Sequence, residues 1–185
     1  MGRLSEAVME AATACKLDPL SPFAMMDAGF INSFASEFDR ARAFHKRALE
    51  LAPDYAWGHV GLALLSAEGG NHPDAVREVD EAVRLSDEVW CREFQAQVYS
   101  IAGLNDRAKD VLNGLLSKRF PGYPSMSFIG SIYYLLGDAD TGWQWMQKAY
   151  EERDTGLATW NKSFAMKVPR RDPRFVELLR KMRLT

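Results

Sequence analysis

Apolar and polar positions along this chain recur with the period of an α-helix from one end almost to the other. The opening stretch places Leu4, Ala7, Val8, Ala11 and Ala14 on one side, with Met9 and Ala12 widening that surface. The pattern then restarts repeatedly, and predicts helices over 4–17, 22–35, 38–51, 56–68, 72–85, 89–102, 105–117, 123–136 and 139–152. No segment sustains a period of two, so no sheet is expected. The breaks have their own chemistry. They read Ser36-Glu37-Phe38-Asp39, Gly69-Gly70-Asn71-His72-Pro73, Gly103-Leu104-Asn105-Asp106 and Gly137-Asp138-Ala139-Asp140. Glycine there ends a helix by accepting a left-handed backbone, and an Asp or Asn just after it can cap the next.

The restarts keep a register of roughly 34 residues. From Pro22 to Pro53, Met25, Ala28, Gly29 and Asn32 fall in a first helix, and Ala41, His45, Ala48 and Pro53 in and after a second. Upstream, Ala7, Ala11, Ala14 and Pro19 repeat the second-helix spacing. Downstream it returns as Ala75, Val79 and Ala82, with Asp87 in the proline position. After one inserted residue near Ser86-Asp87-Glu88 it returns as Ala108, Leu112 and Leu115, and lastly as Gly142, Met146, Ala149 and Asp154. Small residues let paired helices approach closely, and larger ones fill the space between one pair and the next. In the last pair Met126, Ile129, Gly130 and Tyr133 are expected to face Met146 and Ala149.

This register resembles the tetratricopeptide repeat family over most of the chain. The resemblance implies an all-α solenoid of antiparallel helix pairs, in one domain spanning 1–185. Residues 1–19 would be the second helix of a partial repeat, 20–154 four repeats and 155–185 a C-terminal cap. It also implies that the first helices line a partner-binding groove, whose candidates are Phe23, Met26, Phe30, Trp57, Val60, Leu64, Trp90, Glu93, Gln97, Ser127 and Tyr134. Such a groove grades from apolar and aromatic to polar. Aromatic and Met side chains suit it because they bury much area with few rotors. Chaperone-tail clamps of this family use basic groove residues. Here the corresponding pairs are Met26-Asp27, Val60-Gly61, Glu93-Phe94 and Ser127-Phe128, none of them basic.

The ends depart from the repeat. The first helix lacks its partner, which reads as a fragment of a longer protein or as a solo helix that caps the stack, and its apolar surface also suits pairing with a second copy. Near the other end Asp172 is expected to cap a last helix, with Pro173 at its first turn and Phe175, Leu178, Leu179 and Met182 on one face. The run Arg171-Asp172-Pro173-Arg174-Phe175, followed by Leu178-Leu179-Arg180-Lys181-Met182 and Leu184, resembles the close of repeat regions in bacterial class III adenylate cyclases and winged-helix transcriptional regulators. That resemblance implies the C-terminal interaction or sensor region of a larger bacterial signalling protein, cytoplasmic and acting as a scaffold.

Composition narrows the chemistry. A formal net charge of -2 argues against a nucleic-acid coat. No apolar run is long enough to span a bilayer, and no signal-peptide core is present at the N-terminus. The cysteines, Cys15 and Cys91, lie far apart within helical patterns and are expected to be unpaired. His45 and His59 fall at packing positions and His72 in a turn, without metal-ligand spacing. No nucleophile elbow, phosphate loop or zinc-protease motif occurs. The expectation is a non-enzyme without cofactor or metal. Its partner would be a protein or peptide, with a homodimer as one alternative and a small-molecule sensor near Trp90, Glu93 and Tyr134 as another.

Overall fold

The structure is a computed structural model and describes residues 3–184. Among them eleven α-helices follow in order: α1 (Leu4–Leu17), α2 (Pro22–Phe34), α3 (Phe38–Leu51), α4 (Ala56–Glu68), α5 (His72–Leu85), α6 (Val89–Ile101), α7 (Asn105–Leu116), α8 (Met126–Leu135), α9 (Ala139–Glu151), α10 (Thr155–Thr159) and α11 (Pro173–Lys181). Two short 3-10 helices, Phe164–Lys167 and Pro169–Arg171, lead into α11. No strand occurs among the described residues. No helix among them is long and apolar enough to cross a membrane. The chain divides into two compact units, Met1–Ser86 and Asp87–Thr185. The division falls where the inserted residue interrupts the spacing.

The first unit packs α1 on α2, α2 on α3, α3 on α4 and α4 on α5. Its centre is made of the small repeat positions: Ala28, Ala41, Ala48, Ala63, Ala75 and Ala82 are all at 0% exposure. Methyl groups there keep neighbouring helices close, and Val79 fills the remaining space. In α1 the same register is only partly covered. Ala11 and Cys15 are buried, whereas Ala14 is exposed. Around that end Met9, Leu17, Leu20 and Phe23 stand 62%, 82%, 70% and 65% exposed, an unusual concentration of large apolar side chains.

The second unit pairs α6 with α7 and α8 with α9, and closes on α10 and α11. Tyr134, Met146, Ala149, Leu157, Met166, Phe175, Leu178 and Leu179 form its terminal core, with Met182 packed against them. Full burial of Phe175 and Leu179 contributes about 2 kcal/mol each. Gly130 and Gly142 let α8 and α9 touch through backbone: a Cβ on either would stand 3.0 Å from the other's carbonyl oxygen. As the sequence pattern implied, Asp172 accepts the Arg174 N–H at the start of α11, and Pro173 occupies the first position. Arg174 and then Tyr134 hydrogen-bond that carboxylate, holding its pKa down at about 2.

One joint recurs between paired helices. Ser36, Gly70, Gly103 and Gly137 all adopt positive φ, at 63°, 76°, 75° and 91°. The next residue's N–H reaches back to the preceding helix each time: Glu37 to the Asn32 carbonyl, Asn71 to Ser66, Leu104 to Tyr99 and Asp138 to Tyr133, at 2.8–3.0 Å. These bonds satisfy carbonyls that a helix end otherwise leaves open. Two of the second helices also gain side-chain caps, from Asn71 onto the Asp74 N–H and from Asp138 onto the Thr141 N–H.

Helix α8 is the main departure from the periodicity. It begins at Met126, not at 123. Pro121 and Pro124 flank Gly122, whose φ is +99°. Proline disfavours helical backbone in the residue before it, here Phe120 and Tyr123, and the chain is extended at Ser125 before α8 starts. That delay creates the hollow described next.

Candidate partner-binding surfaces

In the first unit the expected groove residues separate sharply by exposure. Phe23 is exposed, Trp57 and Leu64 are half-buried, and Met26, Phe30 and Val60 are buried. The reason is local packing: Phe30 meets the ring of His45 edge-on at 4.8 Å and that of Trp57 at 5.9 Å. Phe30 and Val60 thus serve the inside of the unit, and Trp57 and Phe23 remain to face outward.

His45 is the tightest point of this unit. Its imidazole is at 0% exposure, on α3, against the glycines of α2 and α4. A Cβ at Gly29 would stand 2.5 Å from the ring, and one at Gly61 only 2.2 Å. Neither ring nitrogen has a hydrogen-bond partner. Burial, reinforced by the nearby Arg42 charge, depresses the pKa from 6.5 to about 3, so the ring is neutral at ordinary pH. His59 differs: its Nδ1 lies 2.9 Å from Glu78 Oε2, which ties α4 to α5.

In the second unit Trp90 is half-buried, while Glu93, Gln97, Ser127 and Tyr134 are buried. Each buried group is engaged within the fold. Gln97 donates from Nε2 to Ser131 Oγ at 2.7 Å. Ser127 gives its N–H to Asp154 Oδ2 at 2.9 Å. Tyr134 donates its hydroxyl to Asp172 Oδ2 at 2.8 Å, in the terminal core. Its phenol pKa is raised, by burial first and by Asp172 next.

Trp90 and Glu93 nevertheless share a hollow of about 460 Å³. Its walls are Val89, Trp90 and Glu93 at the start of α6, residues 123–125 with the first residue of α8, and residues 152–155 between α9 and α10. Tyr123 stands at its rim, 82% exposed. Tyr134 is not part of it. Glu93 is 5% exposed, and one of its carboxylate oxygens accepts the Ser125 N–H. Burial raises its pKa to about 8, with the Asp154 charge adding to the rise and the Ser125 N–H opposing it. Asp154 holds the opposite wall. It accepts the Ser125 hydroxyl at 2.8 Å, the Ser127 N–H at 2.9 Å and the Gly156 N–H at 2.8 Å.

Tyr123, Glu152, Arg153 and Asp154 were not among the candidates from the periodicity. Asp154 carried one signal, since it stands where the repeat pattern has proline. The others lie in a turn and in a stretch whose helical start was expected too early. Among the described residues no three His, Cys, Asp or Glu converge in a way that could hold a metal ion. Neither cysteine is in a disulfide, and both are buried.

Helices paired at one fixed register, turned by one recurrent joint and packed on alanine define a tetratricopeptide-type helical repeat. Solved structures agree with that class. The fold is similar to the crystal structure of TTC0263, a thermophilic TPR protein from Thermus thermophilus, with a TM-score of 0.68 and 20% identity over 85% of this chain and 88% of that one. It is also similar to the crystal structure of MamA, with a TM-score of 0.54 and 19% identity over 85% and 92%. No protein-family model matches the sequence, and no curated relative does.

Proposed function

We propose that the chain is a non-catalytic protein- or peptide-binding module. The observation that carries this reading is the hollow at the start of α6, α8 and α10. It is a concave site of about 460 Å³ with Trp90 and Tyr123 at its edge, in a fold that repeats helix pairs. Half-buried and exposed aromatics such as these bind partners well, because they add contact area at little entropic cost. No histidine lines it, and the Ser125 hydroxyl and the Asp154 carboxylate are tied into the start of α8 and α10, which favours holding over reacting. Trp57 and Phe23 offer a second surface of similar character on the first unit. The ending from Arg171 to Leu184 supports placing the module within a bacterial regulatory protein in the cytoplasm.

A random-peptide phage library selected on the purified chain tests the reading. Trp90→Ala or Trp57→Ala should lower capture of selected peptides at least tenfold while helicity, read by circular dichroism, stays constant. Undiminished capture by both variants would count against these surfaces.

The apolar end formed by Met9, Leu17, Leu20 and Phe23 favours a second reading, self-association. Light scattering on the parent chain and on Leu17→Lys decides it. A concentration-dependent dimer lost in the variant supports the reading, and a monomer throughout removes it.

A further inference from the structure

Resting on the peptide-binding reading, we propose that the hollow at the start of α6, α8 and α10 receives a cationic side chain, lysine or arginine, of the partner peptide. Three classes of occupant compete for such a site, and its donors and acceptors separate them.

An anion would use the main-chain N–H groups at helix starts. Here those donors are already committed: Ser125 N–H is held by Glu93, and Ser127 and Gly156 N–H by Asp154. An anion would therefore meet carboxylates and few open donors. An apolar side chain would seal Glu93 further from water without supplying a counter-charge, and burial already disfavours its ionised form. A cation answers both features. Of the charged residues on the walls, Glu93, Glu152 and Asp154 are acidic and Arg153 alone is basic. Trp90 and Tyr123 add ring faces, which attract cations. Lys118 already stands 5.3 Å from the Tyr123 ring centre, so a ligand cation must displace it or meet the ring elsewhere. The indole N–H of Trp90 is turned to Glu88 Oε2 at 2.6 Å, which fixes the ring at the rim.

Proton linkage follows from the same contacts. An ammonium or guanidinium beside Glu93 favours its carboxylate, so binding expels a proton from Glu93. The Asp154 charge acts on it directly, Glu152 and Arg153 line the same hollow, and Lys118 stands at the Tyr123 ring. Affinity for a lysine peptide should then rise between pH 6 and pH 8.

The experiment uses the full chain and the phage library. Recovered peptides should be enriched in Lys or Arg, and replacing that residue by Gln should cost about tenfold in affinity by calorimetry. Glu93→Gln, which retains an acceptor for the Ser125 N–H, should cost a similar factor for the parent peptide. It should cost almost nothing for the Gln peptide, so the two losses are not additive. Should Glu93→Gln fail to fold, Tyr123→Ala and Glu152→Gln change exposed side chains, and each should weaken the lysine peptide about threefold. Selected peptides that are apolar or acidic, or whose lysines are replaceable at no loss, overturn the cation site and leave the binding module standing. Recovery of no peptide at all overturns both.

Discussion

The two units bury one titratable side chain each at a strategic point, and they do so in opposite ways. In the first, His45 lies between the bare backbones of Gly29 and Gly61 with no polar partner, and is kept as a neutral base. In the second, Glu93 lies behind a hollow with a main-chain N–H on it, and is kept as a neutral acid. The first arrangement is sealed on both faces by the absence of side chains. The second borders solvent-accessible space. A sealed neutral group mainly sets shape, whereas a group beside a hollow can exchange its proton for a ligand's charge.

The comparison breaks most readily at Gly61. A methyl group there would stand 2.2 Å from the imidazole, and Gly29 blocks the ring's retreat. Overpacking should cost about 3 kcal/mol, more than the roughly 1 kcal/mol that alanine gains over glycine within a helix. Urea melts of Gly61→Ala should show that loss, and an unchanged midpoint would mean that the ring is not confined.

The opposite protonation states give opposite pH responses. His45 titrates near 6.5 in the unfolded chain and about 3 in the fold, so the unfolded state binds more protons in that interval. Its contribution to stability falls as pH drops from about 6.5 toward 3, by about 3 kcal/mol at pH 4.5. His45→Leu should remove that acid-side slope in urea melts at pH 4.5 and 7. For Glu93 the fold binds the extra proton, because its pKa rises from 4.5 to about 8. Stability attributable to Glu93 therefore falls as pH rises through that range. Glu93→Gln should gain stability over the parent at pH 8.5 and nothing at pH 4.5. Equal gains at both pH values would show that the carboxyl is not held protonated.

The smallest effect lies at the joints. Ser36 occupies at the first joint of the first unit the left-handed position that Gly70 holds at that unit's second joint and that Gly103 and Gly137 hold in the second unit. A side chain there costs about 1 kcal/mol. Ser36→Gly should recover much of that, seen as a rise in Tm of a few degrees, whereas Gly103→Ala should lower it by a similar amount.

Much of the fold was legible because helix pairing depends on spacing alone. Ala41, Ala48, Ala75, Ala82, Ala108 and Ala149 declare the register whatever surrounds them, and all lie at 0% exposure. The start of α8 departs from the periodicity because the repeat register counts back to 123, whereas Pro124 disfavours helical backbone at Tyr123. The site was less legible. Whether Phe30 or Val60 faces a partner depends on the neighbouring helices, and one helix's pattern does not contain that. The wall built by Asp154 joins residues 27 to 29 positions apart through hydrogen bonds that carry no periodic signature.

That carboxylate has a consequence for how the protein comes into being. A nascent chain emerges N-terminus first and folds as its parts become available. The first unit can close before the second exists. The hollow cannot, since its far wall is Glu152 to Thr155 and the start of α8 waits for Asp154 to accept the N–H of Ser127. The proposed site is thus complete only once residues up to Thr155 have been made. A chain halted before Glu152 would have the residues of the first unit and no far wall to the hollow.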